Sequence, residues 1–191
     1  MAKAGHSSLA LAKLAAPALI GVDGFALSSA AFQDGEELDP SFTADEDDAV
    51  APPLEWTAPP AGAMELALVV EDPDAVGPEP ACHWLVWGLA PQKGQLLEGE
   101  VPPKVGKNSQ RNSEWQLPRL PAGEPHSYVF QLYALDAPLD LSPGSDRAAL
   151  LAAMAGHVIG VALLTAVYEH SDEPDGEWDD VDIDKIDWDG N

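Results

Sequence analysis

Four apolar segments, separated by proline and polar turn residues, dominate the pattern of the chain. They cover positions 64–71, 83–89, 127–135 and 158–168. Branched and aromatic side chains are frequent in them and the first is too short for a helix, so the pattern predicts buried β-strands. Rigid proline-rich connections are predicted at 51–60, 101–104 and 117–121.

A helix is predicted between the last two of these strands. Ser145 or Asp146 can cap its first turn, positions 148–154 hold strong helix formers, and Gly156 can end it. Several strands, one late helix and long rigid loops together predict a mainly β protein, a β-sandwich with a few peripheral helices.

The N-terminal segment, positions 1–24, carries a second helical pattern. Its apolar side consists of Leu9, Leu11, Leu14, Ala15 and Leu19. Because Lys13 and Pro17 interrupt the stretch, it is interpreted as an amphipathic extension docked on the protein body rather than as a signal peptide. Nothing approaches the ~18 apolar residues of a membrane span, so a cytoplasmic location is expected.

The charge balance narrows the choice of partners. In 191 residues there are 9 Lys and Arg against 33 Asp and Glu, a formal charge of −24. Such a chain repels nucleic acids and anionic surfaces, because binding them requires a surplus of cations. The single cysteine, Cys82, excludes an internal disulfide and a multi-thiolate metal site. Adaptation to high salt is an alternative explanation of the charge.

The last 23 positions, 169–191, differ from the rest in composition. They hold eleven acidic residues and one lysine, and Trp178 and Trp188 are interleaved with the acids. Mutual repulsion at this density favours a solvated tail. The two tryptophans also fit a segment that docks on its own body, on a second subunit or on a basic partner. A three-part organisation follows, with an extension at 1–24, a domain at 25–168 and an acidic tail at 169–191.

Candidate chemistry falls at the ends of the predicted strands. Asp72 and Asp74 follow the first strand, His83 opens the second and His126 opens the third. Taken singly, such an Asp is usually a turn residue and such a His an edge residue. Taken together, they are expected to meet at one rim of the sheet, where binding residues commonly collect.

Three chemistries are compatible with two carboxylates and two imidazoles. A metal-assisted hydrolase is possible in composition, but no His-x-His or His-Glu-x-x-His spacing is present. A Ser-His-Asp hydrolase lacks its Gly-x-Ser-x-Gly turn. An anion pocket, in which imidazoles and backbone N–H groups hold the ligand and the aspartates orient the imidazoles, suits the residues best.

A series of motifs carries a family resemblance. They are FALSSAAFQDG at 25–35, PPLEW at 52–56, DPDA at 72–75, CHW at 82–84, PAG at 121–123, HSYVF at 126–130, YALD at 133–136 and GHV at 156–158. In this order they resemble the phosphatidylethanolamine-binding protein family, in its bacterial Raf-kinase-inhibitor-like branch. The resemblance implies a β-sandwich with a central antiparallel sheet and a small surface pocket for phosphate-like or other anionic groups.

The residues implied for that pocket follow from the matching motifs. They are Asp72, Asp74, His83, Pro118, His126 and Tyr128. In this interpretation an imidazole and the Tyr128 hydroxyl hold the ligand while Asp72 sets the imidazole tautomer.

The chain also departs from the family pattern near this pocket. Val76 replaces a proline, Leu117 stands where a glycine lets backbone approach the anion, and Ser127 replaces an arginine. Each change is expected to make the pocket less open or less positive.

The resulting prediction is a soluble, non-enzymatic module that binds a small anion, with no cofactor or metal, and that regulates a kinase or protease. The first alternative is an interaction or inhibitory module that uses the acidic tail, with a protein partner or a homodimer. The second is the metal-assisted hydrolase.

Overall fold

Two antiparallel sheets form a sandwich in the computed structural model, which describes residues 2–171. The strands are β1 (Leu27–Ser28), β2 (Leu54–Trp56), β3 (Glu65–Asp72), β4 (Ala81–Leu89), β5 (Gly94–Leu96), β6 (Lys104–Val105), β7 (His126–Leu135) and β8 (Val158–Tyr168). The larger sheet has the order β6-β4-β3-β7-β8 and the smaller one β1-β2-β5. The prediction of a mainly β sandwich is confirmed.

The predicted long strands are present as β3, β4, β7 and β8, within two residues of the expected bounds. The short strands of the smaller sheet were not predicted. The interpretation of 51–60 as a connection was wrong over Leu54–Trp56, which pairs with both β1 and β5. Three residues between prolines give no periodicity, and the pairing with distant segments is what makes them a strand.

Two α-helices, α1 (Ala10–Leu14) and α2 (Arg147–Met154), accompany the larger sheet, with 3-10 turns at His6–Ser8, Pro17–Leu19, Val22–Gly24 and Pro40–Phe42. At the start of α2 the side chain of Asp146, not that of Ser145, accepts the capping hydrogen bond, from Ala149 N. Gly156 follows α2 with φ of +80°, as its predicted helix-ending role requires.

The N-terminal segment docks on the body, but its helix is shorter than its apolar pattern suggested. It ends at Leu14, since Ala15 is extended and Pro17 starts a separate turn. Leu9 and Ala10 are buried, and Leu11 and Leu14 pack against the outer core. None of the described helices is long and apolar enough to cross a membrane. The acidic tail beyond residue 171, with Trp178 and Trp188, lies outside the described residues.

Strand β3 lies at the centre of the larger sheet and is buried on both faces. Leu66, Leu68 and Val70 face the inner core between the two sheets. Ala67 and Val69 face the outer core, which α1 and α2 cover. Side chains alternate along a strand, so the adjacent carboxylates of Glu71 and Asp72 point to opposite faces.

A buried polar network around Glu71 fastens the N-terminal segment to the outer face. We call the side chains of Glu71, Gln131, Tyr133 and Arg147 the outer network. Glu71 accepts hydrogen bonds from Ala10 N at 2.8 Å and from Gln131 Nε2 at 2.9 Å, and it forms an ion pair with Arg147.

The amide of Gln131 completes this network. Its oxygen accepts from Leu11 N at 2.9 Å and from the Tyr133 hydroxyl at 2.6 Å. The first backbone N–H groups of α1, which have no partner within a helix, are thus satisfied by side chains of β3 and β7.

Candidate functional site

The candidate site lies where three strands of the larger sheet meet. The C-terminal end of β3 lies between the N-terminal ends of β4 and β7, because β3 is antiparallel to both. This arrangement brings together Asp72, His83, His126 and Tyr128, which we call the rim site. The expected meeting of the strand ends at one rim is therefore present in the structure.

A β-bulge turns His83 toward this rim. In the pairing of β3 with β4, Val70 lies opposite Trp84 and Glu71 lies opposite Cys82, which leaves His83 without a partner. Trp84 belongs to the inner core and Cys82 to the outer core. An extra residue of this kind re-aims a side chain, so His83 lies on the inner side beside Trp84 instead of alternating with it.

The carboxylate of Asp72 has two distinct tasks. One oxygen accepts hydrogen bonds from Asp74 N at 2.8 Å and Ala75 N at 3.1 Å, which holds the turn after β3. The other accepts from His126 Nδ1 at 2.6 Å. Asp72 is only 3% exposed. One oxygen therefore holds the turn, and the other contacts the His126 ring that Asp72 was predicted to orient.

Asp74 supports the site from the same loop. Its Oδ2 accepts a hydrogen bond from Ser127 N at 2.8 Å. This bond ties the loop after β3 to the beginning of β7, between His126 and Tyr128. Asp74 is therefore a positioning residue for both of these side chains.

His83 presents an acceptor to the site. Its Nδ1 lies 2.7 Å from the carbonyl oxygen of Gln116. A carbonyl can only accept, so Nδ1 carries the proton and Nε2 of the neutral ring has a free lone pair. Burial is the main influence on the pKa of His83 and lowers it, which keeps the ring neutral at pH 7. His83 can therefore accept a hydrogen bond at Nε2 but cannot donate one there.

Tyr128 supplies a hydroxyl beside these rings. Its ring meets that of His83 edge-on, with centroids 5.0 Å apart, and lies 6.5 Å from the ring of Tyr168. Burial, followed by the charge of Asp72, raises the pKa of Tyr128, so the hydroxyl stays protonated. Among residues 2–171 no protein group forms a hydrogen bond with this hydroxyl.

The loop at 115–118 forms a wall next to the rim site. The Trp115 ring lies 6.0 Å from the His83 ring, and the carbonyl of Gln116 holds His83. Leu117 packs against the inner core and lines a separate cavity of about 390 Å³. Pro118 is buried, and its carbonyl accepts a hydrogen bond from Ala44 N at 2.9 Å. The contacts that define the site therefore involve Gln116 rather than Pro118.

Two groups at the site could not be predicted from the sequence. The carbonyl of Gln116 and the amide of Ser127 act through backbone atoms, which every residue carries, so no residue type marked them. The β-bulge at His83 could not be predicted either, because no local sequence pattern indicates it. Among the described positions, no group of three or more His, Cys, Asp or Glu side chains is arranged to hold a metal ion.

Comparison with known proteins identifies the family to which this architecture belongs. Residues 28–169 match the family model described as phosphatidylethanolamine-binding protein. A UPF0098 protein of Methanothermobacter thermautotrophicus is 36% identical over 152 residues, which cover 74% of this chain and 97% of that protein. A UPF0098 protein of Chlamydia trachomatis is 34% identical over 148 residues, covering 75% and 97%.

A solved structure gives the same result. The crystal structure of Escherichia coli YbcL, described as a member of the mammalian PEBP family, aligns with a TM-score of 0.70 at 25% identity and covers 77% of this chain and 99% of that one. The fold is thus a two-sheet β-sandwich with a polar cluster at one end of its larger sheet. The chain belongs to the phosphatidylethanolamine-binding protein family.

Proposed function

We propose that the rim site binds a small phosphate-like anion and that the protein acts by binding rather than by catalysis. The observation that carries the proposal is the 2.6 Å hydrogen bond between Asp72 and His126 Nδ1, which leaves His126 Nε2 without a partner among the described residues. We place the anion at this nitrogen, because a ring that carries protons on both nitrogens offers its Nε2–H to a ligand.

The atoms left uncommitted define the ligand. Two can donate, His126 Nε2 and the Tyr128 hydroxyl, and one, His83 Nε2, can only accept while its ring is neutral. An anion that also carries a hydroxyl satisfies all three. The monoanion of inorganic phosphate or of a phosphate monoester has this combination, whereas sulfate at the same pH has no hydroxyl to donate.

Binding without catalysis is supported by the state of the nearby groups. Both oxygens of Asp72 already accept hydrogen bonds. The Cys82 thiol packs in the outer core, and burial raises its pKa to about 12, so it is not an activated nucleophile. A phosphorylated side chain of a kinase or protease partner presents the same phosphate monoester chemistry, so regulation of such a partner would use this same site.

The test is a titration with inorganic phosphate and with phosphoserine, followed by NMR of the histidine rings and backbone amides. We expect shifts at His83, His126 and Tyr128 at millimolar ligand or below. Sulfate serves as the matched control and should bind roughly tenfold more weakly, because it leaves His83 Nε2 without a donor. Absence of shifts at the rim with millimolar phosphate contradicts the proposal.

A further inference from the structure

A polar cavity lies at the same strand ends as the rim site, but on the outer face of the larger sheet. It has a volume of about 480 Å³ and is lined by residues that include Lys107, Ser109, Arg111, Asp146 and Arg147. We call it the basic cavity. It holds two of the three arginines of a chain with only nine Lys and Arg. Cys82, on its wall, belongs to the outer core, whereas the neighbouring His83 belongs to the rim site.

The wall that carries Lys107 is fixed by an unusually close approach of the backbone. A Cβ added to Gly106 would lie 2.6 Å from Ser145 O and 2.9 Å from the Trp87 ring. Only glycine fits here, and the following Lys107 N donates to Ser145 O at 2.9 Å. Lys107 is thereby held beside the residue that precedes the α2 cap.

Asn108 organises the rest of this loop. It is 5% exposed, and its Oδ1 accepts hydrogen bonds from Gln110 N at 2.9 Å and Asn112 N at 3.1 Å. Arg111 has φ of +66°, a conformation that residues with a side chain adopt at a cost. The backbone of this loop is therefore fixed by hydrogen bonds, and the exposed side chains of Lys107 and Arg111 start from defined positions.

The remaining walls add further donors. Arg147 is fixed by its bonds to Glu71 and to Ser8 O, and its Nη1 lies 3.9 Å from Glu79. Ser109 Oγ accepts from Cys82 N at 2.7 Å, which leaves the hydroxyl proton available to a ligand. Guanidinium, ammonium and hydroxyl groups thus face one space from several directions.

Two acids, Glu79 and Asp146, also line the cavity. Asp146 caps α2, and the side chain of Glu79 is 66% exposed. Lys107 and Arg111 form no ion pair with any residue in the described range 2–171. Both cations therefore lack an acidic partner although the chain carries a formal charge of −24.

We propose that the basic cavity is a second anion-binding site, for a tetrahedral oxyanion with two negative charges such as inorganic phosphate or a phosphate monoester. Two uncommitted cations, Lys107 and Arg111, match the charge of a dianion. Donors on several walls match its tetrahedral oxygens, as guanidinium groups do in phosphate recognition. The two sites differ in the form of the ligand: the rim site favours the monoanion and the basic cavity the dianion.

The test uses the full chain with inorganic phosphate at about 0.15 M ionic strength, where a Debye length of about 8 Å screens the distant acids. The test variant combines Lys107→Gln with Arg111→Asn, since asparagine tolerates the left-handed conformation. The matched control combines Lys13→Gln with Lys93→Gln, which removes the same charge from exposed positions elsewhere. Backbone amide shifts in NMR give both the affinity and the place of binding.

We expect phosphate to shift the amides of residues 107–111 in the natural sequence and also in a His126→Gln variant, whose rim site is impaired. The test variant should lose about tenfold or more in affinity at these amides, and the control about twofold or less. Affinity there should rise between pH 6 and pH 8 as the dianion forms. Shifts confined to the rim site, or an equal loss in the control, overturn the proposal. The rim signals are read separately, so either site can fail alone.

Discussion

Glu71 and Asp72 are neighbours on β3, both carboxylates and both almost fully buried, yet they have different tasks. Glu71 faces the outer core, where Ala10 N, Gln131 and Arg147 occupy its oxygens. Asp72 faces the rim, where its partner His126 keeps one ring nitrogen uncommitted. Burial of a charged side chain is therefore not enough to identify a ligand-binding site. A buried polar group stabilises the fold when all of its hydrogen-bond partners are themselves fully bonded within the protein. It can contribute to ligand binding when one of those partners keeps an atom available for a further hydrogen bond.

The largest expected effect is the loss of stability when the Glu71 carboxylate is removed. Glu71→Gln leaves Arg147 without its carboxylate in a place where its side chain is only 12% exposed. Loss of one partner of such a pair should lower the free energy of unfolding by about 3 kcal/mol, measured by urea denaturation. Asp72→Asn, the matched variant next to it, keeps the turn and should cost about 1 kcal/mol. Equal costs would contradict the assigned division of tasks.

Removal of the His126 imidazole should weaken ligand binding at the rim site. His126→Gln deletes the imidazole that Asp72 contacts, and a hydrogen bond to a charged ligand such as phosphate contributes about 1.5–3 kcal/mol. Phosphate affinity at the rim should therefore fall about 10–100-fold in an NMR titration. Glu71→Gln, measured below its unfolding transition, is the control and should retain the affinity of the natural sequence.

A smaller effect is expected at Tyr128. Tyr128→Phe keeps the ring packed on His83 and removes only a hydroxyl that has no protein partner among residues 2–171. The loss of one neutral hydrogen bond should weaken phosphate binding about two- to tenfold and leave the urea midpoint nearly unchanged. The comparison variant Tyr133→Phe removes a hydroxyl that donates to Gln131, so it should reduce stability without touching affinity.

The smallest effect is the pH dependence of stability that arises from His83. Burial lowers the pKa of His83 in the folded protein below its ordinary 6.5, so below pH 6.5 the unfolded chain takes up this proton first. The contribution of His83 to stability is complete above pH 6.5 and is lost as the pH falls toward the folded-state value.

Urea midpoints measured between pH 4 and pH 7.5 test this. His83→Phe should flatten the decline on the acid side, whereas replacement of the exposed His6 by Asn should leave the slope unchanged. An NMR titration in which His83 titrates at or above 6.5 is the contradicting result.

The long strands of the larger sheet could be predicted from the sequence, because their local apolar pattern determines their structure. Strand β8 has the predicted bounds, since Gly156 and the charged residues after Tyr168 limit a long apolar run. The smaller sheet was missed because its strands of two or three residues exist only through pairing. Asp72, His83, His126 and Tyr128 were named from motifs, and the sheet order explains why they meet.

What the sequence could not provide are features set by tertiary contacts. The register shift that frees His83 depends on how β3 and β4 pair. The ion pair of Glu71 with Arg147 joins residues 76 positions apart, and within the apolar run 64–71 nothing distinguished Glu71 from a solvent-facing carboxylate. Which oxygen, nitrogen or hydroxyl stays uncommitted is a property of the whole contact set, and that property defines the ligand.

The most direct test is to determine the protonation of the histidine ring nitrogens at the rim by long-range ¹H–¹⁵N NMR at pH 6.5, without and with phosphate. We predict a neutral His83 that carries its proton on Nδ1, and a His126 ring whose Nε2 signal moves when phosphate binds. A His83 protonated on Nε2 instead, or a His126 Nε2 signal that stays unchanged at saturating phosphate, would contradict it.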